Sequence, residues 1–99
     1  MQRSLNDITA EDLAEINKLA AAFYVPKEIA MILELPTGLF MEACTTEGTE
    51  CFNAFNGGRL KSEYEVRAAV VQLAKAGSSP AQTMAMQMIN TSKMKMMDS

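Results

Sequence analysis

The side chains of this 99-residue chain that could perform nucleophilic or acid–base chemistry are two cysteines and twelve carboxylates, because histidine is absent. Without an imidazole, neither a Cys–His nor a Ser–His nucleophile pair can form, and a common zinc ligand is missing. Cys44 and Cys51 lie seven residues apart, which matches neither zinc-ligand spacing nor a redox Cys-x-x-Cys pair. We therefore predict that both cysteines are small apolar core residues in a reducing compartment.

Carboxylates alone are the remaining route to catalysis. The acidic residues are spread along segments with helical patterning, where a solvated helix face is the ordinary interpretation. Neither the phosphate-binding motif G-x-x-x-x-G-K-[ST] nor the dinucleotide motif G-x-G-x-x-G occurs. The sequence therefore predicts a protein that is not an enzyme and that uses no cofactor or metal.

The elements that position these side chains are predicted to be helices. Alanine and methionine number 14 and 9, whereas valine and isoleucine together number 9, a composition that favours helices over strands. Thr9 and Thr37 are the expected N-caps of the first and third helices. Apolar spacing and capping residues predict helices over 10–23, 26–35, a short segment from Thr37, 50–76 and 80–96. The Gly57-Gly58 pair predicts a kink or a boundary in the fourth of these.

The segment Ala74-Lys-Ala-Gly-Ser-Ser-Pro-Ala-Gln predicts a turn between the last two helices. Gly77 can adopt the left-handed conformation that ends a helix, since it has no Cβ. Ser79 is then expected to cap the next helix, with Pro80 at the first helical position. We predict an all-α protein with a helix-turn-helix-like three-helix unit over residues 1–48, followed by a long antiparallel helical hairpin over residues 49–99.

Charge is divided unequally along the chain. Residues 1–58 carry nine acidic and three basic residues, whereas residues 59–99 carry six basic and three acidic residues. A DNA-reading helix needs Arg or Lys to neutralise phosphates, but the third helix carries Glu42 and no base. The alternative interpretation of the N-terminal half is a three-helix packing unit that contains a tight turn. If duplex DNA is bound, the better candidates for phosphate contact are the bases Arg59, Lys61 and Arg67.

Four features of the sequence belong together in chain order: Tyr24-Val-Pro-Lys-Glu-Ile-Ala-Met-Ile-Leu, then Phe40, then Ala54-Phe-Asn-Gly-Gly-Arg, then Leu73-Ala-Lys-Ala-Gly-Ser-Ser-Pro-Ala-Gln. Together they resemble the small-terminase-like proteins of tailed phages and prophages. The similarity extends over about residues 9–89, and its most specific part is the Gly-Ser-Ser-Pro-Ala hinge after an apolar helix. In that family an N-terminal helix-turn-helix precedes a long helical hairpin.

The resemblance implies a non-enzymatic DNA-packaging component. Its subunits would form a homo-oligomeric ring, bind double-stranded phage DNA and present it to a large terminase subunit that carries the motor. The turn around Lys27, Thr37 and Gly38 would then face DNA. The residues that would form hairpin and ring contacts are Val66, Val70, Leu73, Met84 and Met88.

Two other classes of function stay open. One is a helical protein–protein adaptor or virion structural component that does not bind DNA, which the acidic half and the methionine-rich last helix favour. The other is a small dimeric transcriptional regulator, which the absence of Arg from the third helix disfavours. No apolar run approaches the roughly 20 residues that span a bilayer, and no signal-peptide core is evident, so we expect no membrane partner and a location in the cytoplasm, that of the host cell if a phage encodes the chain.

Overall fold

A computed structural model describes residues 3–98, and every regular element in that range is helical, which confirms the all-α prediction. A short 3-10 helix, Leu5–Asp7, precedes α1 (Ala10–Ala21), α2 (Pro26–Leu33), α3 (Thr37–Thr45), α4 (Glu50–Lys75) and α5 (Ser79–Met97). The chain forms two compact units that divide within α4. The N-terminal unit ends at Glu63 and the C-terminal unit begins at Tyr64. The predicted boundary at residues 48 and 49 falls in the turn before α4.

Helix α1 begins with the predicted cap. The Thr9 hydroxyl accepts a hydrogen bond from the Asp12 backbone N–H at 3.1 Å, and the Asp12 carboxylate accepts one from the Thr9 N–H at 2.9 Å. The helix ends at Ala21, two residues before the predicted Phe23. Phe23 adopts a left-handed φ of 69°, which lets the Tyr24 N–H donate to the carbonyl of Leu19 at 3.1 Å and closes the helix.

Helices α2 and α3 differ from the prediction at their shared connection. α2 ends at Leu33 rather than near Leu35, because Glu34 is left-handed at φ 57° and the Leu35 N–H donates to the Ala30 carbonyl at 2.8 Å. Thr37 is not the cap of α3: Pro36 occupies the N-cap position without a side-chain hydrogen bond, and Thr37 is the first helical residue. Residues 34–36 thus join two short helices that pack against each other.

The core of the N-terminal unit lies among α1, α2, α3 and the start of α4. Its buried side chains are Ile16, Ala20, Ile29, Ala30, Leu35, Phe40, Cys44 and Cys51. The predicted burial of both cysteines is confirmed, and they are free thiols. Desolvation raises the pKa of the Cys44 thiol to about 12, and burial also raises the pKa of Cys51. Neither thiol has the stabilised thiolate that a catalytic cysteine needs.

Helix α4 continues through the Gly57-Gly58 pair as one helix from Glu50 to Lys75. Gly58 allows α4 to approach α1 closely. A Cβ on Gly58 would overlap the backbone carbonyl oxygen of Asn17 and lie 3.0 Å from its carbonyl carbon. The Asn17 side-chain amide also donates to the Ala54 carbonyl at 3.0 Å, so backbone and side chain both join the two helices.

The connection between α4 and α5 closes as predicted at Gly77 but caps one residue earlier than predicted. Gly77 has a φ of 101°, and the N–H groups of Gly77 and Ser78 donate to the carbonyls of Ala74 and Leu73 at 3.1 and 3.0 Å. This pair of bonds is a Schellman motif. Ser78, not Ser79, is the N-cap of α5: its hydroxyl accepts from the Ala81 N–H at 3.4 Å, and Pro80 lies at the second helical position.

Candidate functional site

The predicted DNA-facing residues of the N-terminal unit lie on α2 and α3. Lys27 is exposed in the first turn of α2, and Thr37 is partly buried at the start of α3. The exposed side of α3 presents Leu39, Met41 and Glu42. A helix that enters the major groove uses cations and hydrogen-bond donors to read base edges. The exposed side of α3 has apolar side chains and an acid in those places.

The predicted phosphate contacts Arg59 and Lys61 differ in their surroundings. The Arg59 guanidinium donates to the Asn56 side-chain oxygen at 3.3 Å and pairs with Glu63 at 3.5 Å, and its Nε is buried without a hydrogen-bond partner. Lys61 is exposed. The charge of Arg59 is therefore partly neutralised on its own helix, and Lys61 is the more accessible cation.

Four apolar side chains of α2 and α3 are exposed, and the sequence did not single them out. We call Met31, Ile32, Leu39 and Met41 the α2–α3 surface, and Met31 is the most exposed of them at 67%. Ile32 belongs to the same apolar run of α2 as the buried Ile29, yet it is exposed. The available signal was the run Ile-Ala-Met-Ile-Leu, which is apolar on every side of a helix and therefore cannot be buried entirely by one neighbour.

The C-terminal unit buries little of its own apolar surface. Among its described residues, 64–98, only Val70 and Ala81 are buried. Tyr64, Leu73 and Ile89 are 71%, 56% and 46% exposed. Complete burial of one such side chain contributes about 1.5 to 3 kcal/mol. Contact with a second molecule that buried several of these side chains would therefore be strongly stabilised.

Residues of α4 and α5 line a cleft of about 500 Å³ within the C-terminal unit. We call it the α4–α5 cleft. Its lining is mainly apolar: Val71, Ala74, Ala85, Met88, Ile89 and Met96. The charged residues of the lining are Arg67, Lys75 and Lys93, and no acidic residue belongs to it. The cleft thus combines an apolar floor with positive charge.

The predicted ring contacts have three different environments in the C-terminal unit. Met88 lines the α4–α5 cleft, and Met84 lines an adjoining depression that also includes Arg67 and Lys95. Val66 and Leu73 are exposed, which leaves them accessible to another molecule. Val70 is buried, so its side chain is not accessible to another molecule. Arg67, predicted as a phosphate contact, lies beside Met88 in the cleft lining.

Metal, membrane and homology observations do not add a second kind of site. No group of His, Cys, Asp and Glu that could hold a metal ion exists among residues 3–98. Within the same range, no helix combines the length and apolarity that crossing a bilayer requires. Comparison with protein-family models, curated proteins and solved structures found no match to this chain.

Proposed function

We propose that this chain is a non-enzymatic subunit that self-associates through its C-terminal unit. The observation that carries the proposal is the exposure of Tyr64, Leu73, Ile89 and their apolar neighbours in a unit that buries only Val70 and Ala81 among its described residues. Helices of this length owe most of their stability to tertiary packing rather than to intrinsic propensity. A second subunit that covers these side chains would supply that packing.

The resemblance to small terminase subunits gives the proposed assembly a biological role. The oligomer would bind double-stranded phage DNA and present it to a large terminase subunit in the host cytoplasm. Lys61 and Arg67 are the proposed phosphate contacts, with Arg59, Lys27 and Thr37 as further candidates. One subunit contributes only a few cations to this contact, but repetition of even two of them around a ring would produce a band of positive charge.

The first test is the oligomeric state of the full chain, measured by light scattering and native mass spectrometry at micromolar concentration. We expect an oligomer for the wild type and a shift to monomer for Ile89→Glu, which places a charge on an exposed apolar position in the lining of the α4–α5 cleft. Asn90→Glu is the matched control, because Asn90 is exposed, adjacent and outside that lining, and it should leave the assembly intact. A wild type that stays monomeric at tens of micromolar contradicts the proposal.

The DNA-binding part of the proposal has a separate test. Affinity for duplex DNA should fall steeply with salt, and Lys61→Ala and Arg67→Ala should each reduce the slope of log K against log salt by about one unit. Lys18→Ala is the control, since Lys18 lies 3.6 Å from Glu15 on α1 and is not a proposed contact. Unchanged affinity and slope in both variants would remove these residues from the proposed interface.

A second candidate is a protein–protein adaptor or virion component that assembles without binding DNA. The observation in its favour is the exposed side of α3, where Leu39 and Met41 accompany Glu42 and no base is present. An oligomer that shows no salt-dependent duplex binding would support this candidate over the packaging role.

A further inference from the structure

The α4–α5 cleft has a chemistry that defines its occupant. Its floor is apolar, and Lys75 and Lys93 in its lining have no acidic partner within ion-pair distance among the described residues. A volume of about 500 Å³ lies within the range of pockets that enclose a whole small ligand. The cleft therefore fits a group of apolar side chains that bring negative charge with them.

The α2–α3 surface has the complementary chemistry. Leu39 and Glu42 are three residues apart and therefore lie on one exposed side of α3, and Met31 and Ile32 are exposed on α2. Glu42 has no cation within ion-pair distance in the described part of the chain. By sequence, residues 1–63 contain ten acidic and five basic residues, whereas residues 64–99 contain four basic and two acidic residues. The two units are therefore opposite in charge.

We infer that the α4–α5 cleft of one copy receives the α2–α3 surface of a second copy. This inference rests on the self-association proposed above and names the surfaces that carry it. Leu39 of the second copy would enter the apolar floor, and Glu42, on the same side of α3, would lie near Lys75 or Lys93 of the first. Contact between two acidic N-terminal units is disfavoured by like charge, so electrostatics select the head-to-tail pairing.

A head-to-tail contact has a consequence for assembly. The two contacting surfaces are different, so an open assembly retains one unused cleft at one end and one unused α2–α3 surface at the other. Such a heterologous interface continues until it closes as a ring or extends as a filament. A symmetric contact between two C-terminal units would instead stop at a dimer.

Two variants that cannot self-associate test the inference when they are mixed. The head variant, Leu39→Lys/Glu42→Lys, changes the exposed side of α3 that enters the cleft. The tail variant, Lys75→Glu/Lys93→Glu, changes the α4–α5 cleft. Each alone should be monomeric, with association at least about a hundredfold weaker, because like charges face each other at every contact. A 1:1 mixture should restore assembly in native mass spectrometry, because the intact head of one variant meets the intact tail of the other and the two charge-reversed surfaces also carry opposite charges.

Controls separate this inference from folding and from the broader proposal. Glu47→Lys/Asn53→Lys adds the same charge as the head variant at exposed positions of the N-terminal unit and should assemble like the wild type. Helical content by circular dichroism verifies each fold, and Ser92→Glu provides a second tail variant within the cleft lining. A monomeric wild type overturns self-association itself. An oligomeric wild type with normally assembling variants, or a mixture that stays monomeric, overturns only the head-to-tail pairing.

Discussion

Substitution of the adjacent glycines of α4 should change stability in opposite directions. At Gly58, an added Cβ would overlap the backbone carbonyl oxygen of Asn17, and a backbone atom cannot move aside as the end of a side chain can. At Gly57, the nearest atom to an added Cβ is the Asn17 side-chain nitrogen at 3.9 Å, an ordinary contact distance. The same chemical change therefore meets a backbone clash at Gly58 and only an ordinary contact at Gly57.

The expected magnitudes follow from two opposing effects. Replacing a mid-helix glycine by alanine contributes about 1 kcal/mol of helix stability, and this gain applies to both positions. Overpacking typically costs about 1 to 3 kcal/mol, and a backbone clash that separates α1 from α4 belongs at the upper end of that range. We expect Gly57→Ala to stabilise the protein by up to about 1 kcal/mol and Gly58→Ala to destabilise it by about 1 to 2 kcal/mol.

Urea unfolding monitored by circular dichroism measures both changes. Protein concentration must be the same for all samples, because self-association contributes to apparent stability. In thermal melts of the same samples, the midpoints of the two variants should differ by roughly 10 °C, since a free-energy difference of 1 kcal/mol corresponds to about 4 to 8 °C in a domain of this size. If Gly58→Ala is as stable as Gly57→Ala, the close approach of α1 and α4 is not the reason for the glycine.

Three further expectations concern the hinge, an ion pair and the buried thiols. Gly77→Ala should lower the free energy of unfolding by about 1 kcal/mol, because Gly77 has a φ of 101° and alanine is disfavoured there; thermal melts measure this loss, and an unchanged melting temperature would contradict it. The Arg3 guanidinium and the Thr9 N–H hold the pKa of Asp12 below its ordinary value of 3.8, so the stability from this pair is present above about pH 4 and is lost as the pH falls further. Urea midpoints from pH 5 to pH 2 should therefore decline more for the wild type than for Asp12→Asn, and parallel declines would exclude the pair as the cause. Cys44 and Cys51 should react slowly with a thiol reagent at pH 8 and rapidly in urea, because burial raises both pKa values; fast native reaction would contradict their burial.

Local signals in the sequence were sufficient wherever short-range chemistry determines the conformation. The Thr9 cap, the left-handed Gly77 and the helical class of the chain each depend on residues within one or two turns of each other. Burial of the cysteines was also predictable, since a seven-residue spacing with no partner ligand leaves an apolar role. Ser78 and Ser79 could not be distinguished in this way. Proline is tolerated at either of the first two helical positions, so the sequence alone does not determine that the Ser78 hydroxyl caps α5.

The sequence by itself determined that this protein is built of helices, where most of them begin, and that it lacks the residues for imidazole catalysis. Only the tertiary structure decided which apolar side chains are covered. Ile29 and Ile32 both belong to the apolar pattern of α2, yet Ile29 is buried and Ile32 is 52% exposed, because α1 and α3 cover only part of the helix surface. Gly58 likewise has the same local context as Gly57, and the position of Asn17 on α1 makes it a packing site. Periodicity describes one helix at a time, whereas exposure depends on neighbours that lie far away in the chain.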